Sequence, residues 1–415
     1  MRLNAWFLPV VAAGVAALAW GGVAEQVDWR ALHWGHTSGQ FARQLVLPGI
    51  LTAAAASHLA ARLTPRTRVF AQPWSVRAGS PVVLRHLGQL LGWFVPAYLL
   101  GLAPLVWSTA QRNAFGSPDL LLAAGAVVGL SAFVALGYLI GVLTQNLLAV
   151  PLTVTTVFLV AGLPHLDDAW NAVVPTMPQV PRLGREQPAG LSLYRLSAAV
   201  VFCLVFGWLA ARMLRGRRRP APVHGLLVIP VAMVVFPLLR PLEAVTALPG
   251  RQVCESHGGV TYCVHEGHRA ELAPIRDAAA PIFAALGPHV TGVRQVRDMA
   301  LALPPAQAGT VRLTVAPGWD PAEEVPGEVA NTMLSRLSRC AFASFSIGDG
   351  ATVDERRAYV ISEFGHWLRS RSAGLAVPSG GLFERARPEQ VRRWVTERRA
   401  EIAACTVDPE ELPWR

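Results

Sequence analysis

Lysine is absent from this chain: all 37 basic side chains are arginine. We read that as the coding bias of GC-rich DNA rather than a functional device. Charge of either sign is scarce. Only 15% of residues are Asp, Glu, Lys or Arg, against about 25% in soluble domains. No G-x-x-x-x-G-K-[ST] loop is present, so the chain has no P-loop nucleotide site of its own. Neither H-E-x-x-H nor G-x-S-x-G occurs, so no enzymatic activity and no cofactor are expected. The formal net charge is +10, but no aromatic–basic motif accompanies it, which argues against a nucleic-acid partner. Apolar residues, in contrast, make up 52% of the chain, and the mean hydropathy is +0.36. That balance indicates a membrane protein with a soluble part attached.

A bilayer-spanning helix needs about 20 mostly apolar residues. Seven stretches are candidates: 4–22, 41–61, 87–108, 120–144, 147–164, 191–214 and 223–239. The first resembles a signal peptide in position, but no small-x-small cleavage site follows it, so it is expected to be a retained span. The last is the weakest, being short and carrying Pro230 and Pro237. Arg62, Arg66, Arg68, Arg77 and Arg85 cluster between the second and third spans, and 215–220 reads RGRRRP between the sixth and seventh. Arg30 and Arg112 stand alone in the first and third loops. Arginine excess marks the cytoplasmic side. The expected topology has a cytoplasmic N-terminus and an extracytoplasmic C-terminal domain in the plasma membrane. Trp20, Trp29, Trp34, Trp93, Trp107 and Trp170 lie near span ends, as interfacial aromatics do. Ionisable residues are expected to be absent from the span centres, with His58 the one weak candidate, which argues against a self-sufficient proton-coupled carrier.

Residues 242–415 suffice for one further domain, expected to be α+β and helix-rich. Helical periodicity covers 268–285, 326–342, 353–371 and 388–405. Residues 310–317 alternate as a strand does, and 290–296 is a second candidate. Four cysteines fall here: Cys254, Cys263, Cys340 and Cys405. An even number in an oxidising compartment suggests disulfides. In 254–263, CESHGGVTYC, Gly258-Gly259 suits a type I′ turn. That turn sets Cys254 opposite Cys263 in a non-hydrogen-bonded pair, about 4.5 Å apart at Cα. Cys340–Cys405 follows by elimination. A zinc site from Cys254, Cys263, His265 and His268 is the rival, with suitable ligand types but no recognised finger spacing. Ser346, His366 and Asp349 supply hydrolase residue types, but no motif joins them.

Three features of the membrane half resemble the membrane subunit of ABC-2-type exporters. The loop 61–86 is long and arginine-rich, with FAQPWS at 70–75. The connection between the fourth and fifth spans is very short. The loop before the sixth span, from His165, carries prolines and apolar patches. The resemblance covers about 1–214 and is topological. It departs from the pattern in lacking the N-terminal interfacial helix, and in adding a seventh span and an outer domain. The chain also resembles actinobacterial membrane proteins that carry a C-terminal C…GV-x-x-C-V module. The exporter resemblance implies a separate ABC ATPase subunit docking at Phe70, Ala71, Gln72, Pro73, Trp74 and Ser75. It further implies a homo- or heterodimer in contact with membrane lipid. A membrane-anchored binding or sensory protein is the alternative expectation, and an extracytoplasmic hydrolase the third.

Overall fold

A computed structural model of the chain describes residues 6–63, 79–146, 148–214, 224–240, 242–243, 245–248, 250–287, 292–301, 309–338, 340, 352–372, 374–377 and 379–414. The chain divides into two compact units, Met1–Thr246 and Ala247–Arg415.

The first unit is helical: α1 (Phe7–Gly21), α2 (Trp34–Arg43), α3 (Val46–Leu63), α4 (Ser80–Gln111), α5 (Leu120–Thr144), α6 (Ala149–Gly162), α7 (Ala189–Leu214) and α8 (His224–Leu239). Four runs are long and apolar enough to cross a membrane: Trp34–Leu63, Ser80–Gln111, Leu120–Thr144 and Ala189–Leu214. Phe7–Gly21, Ala149–His165 and Val228–Leu239 are apolar but shorter. At 1.5 Å per residue, α1 is about 22 Å long, less than the ~30 Å hydrocarbon core. Seven apolar windows therefore yield four helices of spanning length among the described residues.

Local chemistry sets several ends. The Asp119 carboxylate accepts from the Leu122 amide at 3.0 Å and caps α5. Gln145, at φ 52°, ends that helix and opens the short turn to α6. Pro81 sits in the first turn of α4, where its missing N–H costs nothing. Pro96 and Pro104 lie in the interior of α4, a placement that membrane helices tolerate when neighbours meet the freed carbonyls.

Glycine governs the closest helix contact. Gly137 and Gly141 lie one turn apart on α5, facing α3. A Cβ on Gly137 would stand 2.1 Å from the Ala53 carbonyl oxygen, and one on Gly141 2.3 Å from that of Ser57. This is the G-x-x-x-G means of bringing two backbones together without a hydrophobic drive. Phe94, Tyr98, Leu102, Leu105, Leu130 and Tyr138 fill the core. Leu100, Leu152, Phe158, Leu159 and Leu204 are exposed; large apolar side chains at a surface suit lipid better than water.

The helix α2 departs from expectation. Its residues were expected to lie mostly in a loop between the first two spans, with the second span starting at residue 41. Instead α2 buries His36, Thr37, Ser38 and Gln40 within the unit. His36 Nε2 lies 3.1 Å from Gln26 Oε1 and 3.0 Å from Gln40 Nε2. The Thr37 and Thr109 hydroxyls are paired at 2.7 Å. These polar groups satisfy one another, which is what permits their burial.

The second unit carries a four-stranded sheet ordered β1 (Gln252–His257), β2 (Val260–His265), β3 (Gln295–Asp298), β4 (Thr310–Leu313). The β1–β2 hairpin is antiparallel, and β2–β3 and β3–β4 are parallel. The strand expected at 290–296 lies further along, at β3. Helices α9 (Leu272–Leu286), α10 (Pro321–Leu337), α11 (Val353–Ser372), α12 (Pro388–Glu397) and α13 (Arg399–Ala404) complete the unit. Tyr262, Val296, Val311 and Leu313 bury one sheet face with Phe283 and Met333. An aromatic group of Phe364, Phe383, Trp394 and Trp414 forms further along the chain, with adjacent ring centroids 5.1–5.7 Å apart. The Trp414 indole N–H donates to the Leu382 carbonyl at 2.9 Å, so its polar edge is met while its rings pack.

Candidate functional site

The stretch between α6 and α7 has little regular structure, yet much of it is buried. Two short 3₁₀ turns, Leu163–His165 and Asp168–Ala172, give way to a run of turns and bends with a two-residue strand at Arg185–Glu186. Asn171, Val173, Val174, Thr176, Met177, Leu183 and Gln187 are all buried. Glycines make room for the run on two helices. A Cβ on Gly129 of α5 would stand 2.3 Å from Pro175 Cβ, and one on Gly39 of α2 would stand 2.5 Å from Val180 Cγ1. Buried non-helical backbone must have its N–H and C=O groups covered by partners within the protein.

One side chain supplies that coverage. Arg195, in the second turn of α7, is 5% exposed. Its Nη2 donates to the carbonyls of Thr176 at 2.8 Å and Val174 at 3.1 Å. Its Nη1 donates to Gln187 Oε1 at 3.1 Å. Gln187 in turn donates to the Ser192 hydroxyl at 2.8 Å, one helical turn away from Arg195 on the same helix. The guanidinium thus latches the irregular run to α7. Among the described residues no carboxylate pairs with it. Beside the latch lies a cavity of about 200 Å³. His165 and Gln179 stand exposed at its rim, and Asn171, Gln187 and Arg195 are buried in its wall. Arg195 was not singled out in the sequence. Hydropathy windows absorb a single arginine seven residues into a 26-residue helix, and its carbonyl partners lie 19 to 21 residues back in sequence. It lies near the start of the candidate span 191–214, so the expectation that ionisable residues are absent from the span centres is untouched by it. A second cavity of about 200 Å³ adjoins His58 and Arg62 of α3 and Gln145 and Asn146 at the α5–α6 turn. The His58 ring stacks on Phe7 at 5.6 Å.

In the second unit the two cysteine pairs are joined: Cys254–Cys263 with Cα atoms 4.2 Å apart, and Cys340–Cys405 at 5.3 Å. Gly258 and Gly259 both take positive φ, 59° and 82°, and the hairpin register runs His257–Val260, Ser256–Thr261, Glu255–Tyr262, Cys254–Cys263. The two thiols of the zinc set are spent in that bond and cannot ligate a metal as thiolates. Among the described residues, no group of three or more His, Cys, Asp or Glu could hold a metal ion.

His265 and His268 instead serve Asp298 on β3. His268 Nδ1 lies 2.6 Å from Asp298 Oδ2, with both side chains fully enclosed. The same oxygen accepts the His265 backbone N–H at 3.2 Å, and Oδ1 accepts that of Ala300 at 2.9 Å. His265 Nδ1 accepts from the Gly267 amide at 3.0 Å, starting the 3₁₀ turn Glu266–Glu271. Gly250 packs on the opposite edge of that ring, where any Cβ would overlap Nε2. Burial, with the neighbouring His268, holds the His265 imidazole below its ordinary pKa, against the pull of Asp298 and Glu266. The cluster ties the hairpin to the parallel strand; His268 Nε2 is buried without a hydrogen-bond partner. Ser346 and Asp349, like the whole of Phe70–Ser75, lie outside the described residues, while His366 is on α11. Comparison with family models, with curated proteins and with solved structures returns no match to this chain.

Proposed function

We propose that this chain is the permease-like membrane subunit of an export system driven by a separate ATPase chain. The observation that carries the reading is the buried, irregular run between α6 and α7, held by Arg195 beside a polar-walled cavity in the helical unit. Transport proteins place irregular backbone at membrane depth where it lines a path, and an intramembrane charge marks such a site. A structure used only as an anchor needs neither. The absence of a P-loop puts the energy source on another polypeptide. In this reading the subunit is paired as a homo- or heterodimer, with seven spans counting the three shorter apolar helices. The second unit is extracytoplasmic, a placement favoured by the arginine-rich second and sixth loops and by its two disulfides. The ATPase would meet the chain at Phe70–Ser75.

The test is affinity purification of the full chain from its native membrane in mild detergent. An ATPase chain should copurify in stoichiometric amount. Replacing Phe70–Ser75 by a Gly-Ser segment of equal length should release it while the chain itself stays folded. If no ATPase accompanies the wild type, or the replacement holds it equally well, the permease reading is wrong.

A further inference from the structure

We propose that the cavity beside Arg195 binds a single-charge oxyanion head group, a carboxylate or phosphodiester attached to an apolar body. The inference deepens the permease reading and rests on it for the view that this anion is cargo. Four observations carry it.

The first is charge. Arg195 is 5% exposed, and its described acceptors are two backbone carbonyls and one amide, all neutral. Arginine does not deprotonate in proteins, and an ion out of water needs a counter-charge as well as hydrogen bonds. Dipoles alone leave the site one negative charge short. The second is unused capacity. Guanidinium has five N–H donors, and three are engaged, which leaves two. The third is size. About 200 Å³ is the liquid volume of roughly six or seven waters at ~30 Å³ each. That suits a head group and falls short of the ~300–1,000 Å³ that encloses a drug-sized ligand. The fourth is access and lining. His165 and Gln179 at the rim are exposed, Asn171 and Gln187 make the wall inside polar, and Leu191 supplies an apolar wall beside them. One positive charge selects a monoanion, and the mixed wall selects a head group joined to carbon.

The carboxylate could come from a soluble acid and the phosphodiester from a lipid, so the test uses both. Full-length protein in nonionic detergent is titrated with octanoate and, separately, with dihexanoylphosphatidylglycerol. Binding is followed by calorimetry and by the fluorescence of Trp170, adjacent in sequence to Asn171. One probe at least should saturate, and the tighter one identifies the source. R195Q should weaken that probe tenfold or more, as loss of a charge-assisted partner does. R195K should weaken it less. Because Arg195 also holds Val174 and Thr176, R195Q removes a structural tie as well as the charge, so L191F provides the second arm. It narrows the cavity, keeps the charge and should weaken binding at least fivefold. If neither probe saturates, or R195Q in folded form or L191F binds as the wild type does, the site does not exist. The permease reading is judged separately, by ATPase copurification, and survives or fails independently of these titrations.

Discussion

Adding one methyl group to α5 should loosen the first unit, and the place where it is added should decide by how much. In G137A the new Cβ stands 2.1 Å from the Ala53 carbonyl oxygen, 2.7 Å from its carbonyl carbon and 2.8 Å from its Cα. Ordinary contact begins at 3.4 Å, so α3 and α5 must part by about 1.3 Å along that direction. No side chain can rotate away, because all three neighbours are backbone. Overpacking of this kind costs about 1–3 kcal/mol, and rigid backbone places G137A at the upper end. Alanine returns up to about 1 kcal/mol of helix propensity relative to glycine. The net expectation is a loss of about 2 kcal/mol. The same helix provides the control. Gly125 has nothing within 4 Å of its would-be Cβ, so G125A should be neutral or gain up to about 1 kcal/mol. The assay is thermal unfolding of full-length protein in nonionic detergent, read by alkylation of Cys203. That half-buried thiol on α7 is the one free cysteine in the chain. G137A should react at a lower temperature than wild type and G125A should not. If the two variants fall together, or G137A matches wild type, the α3–α5 contact is not the backbone-to-backbone approach described here.

Three further outcomes concern the second unit. Loop-closure entropy makes the disulfides unequal: with separations of 65 and 9 residues, C340S/C405S should cost about 4 kcal/mol and C254S/C263S about 2.5 kcal/mol. Denaturant titration of the paired variants should show that order, and an inverted order would contradict the assignment. Because the folded state holds His265 below its ordinary value of 6.5, the unfolded state binds the proton more readily. The stabilisation from keeping this ring neutral is therefore complete above pH 6.5 and is lost as the pH falls through the folded value. The midpoint, followed by Trp fluorescence, should drop between about pH 7.5 and about pH 5.5, and H265N, which keeps an acceptor for the Gly267 amide, should flatten that slope. D298A strands the His265 and Ala300 amides and the His268 ring nitrogen, at a cost of about 3 kcal/mol or more. A loss under 1 kcal/mol in chemical denaturation would show that the tie is ornamental.

The second unit was legible wherever one residue type permits a single geometry. Gly258-Gly259 admits one tight turn, the turn admits one register, and the register sets Cys254 against Cys263. Arg387-Pro388 likewise announces the start of α12, whereas α10 starts at Pro321, five residues before the periodic stretch 326–342 that located it. The partner of His268 was not legible, since Asp298 is 30 residues away with no local pattern linking them. In the first unit the window 120–144 matched α5 at both ends, but 87–108 fell short of α4, which runs from Ser80 to Gln111, because apolarity measures affinity for lipid and is blind to where hydrogen bonding stops. The glycines at 137 and 141 were available as a signal for the α3–α5 approach, and Gly129 for the seat of Pro175. The deeper omission has a physical cause. A hydropathy average scores each residue as if it faced lipid alone. His36, Gln40 and Thr37 are costly by that measure, yet each is met by a group from the same protein. Arg195 is costlier still, and it is met by carbonyls that only an irregular backbone could have left open. The terms that make such burial tolerable are pairwise and long-range, and a window that averages neighbours cannot contain them. Buried polar groups are thus the ones that averaging removes, and in this chain they gather at α2 and at the latch between Arg195 and the run before α7.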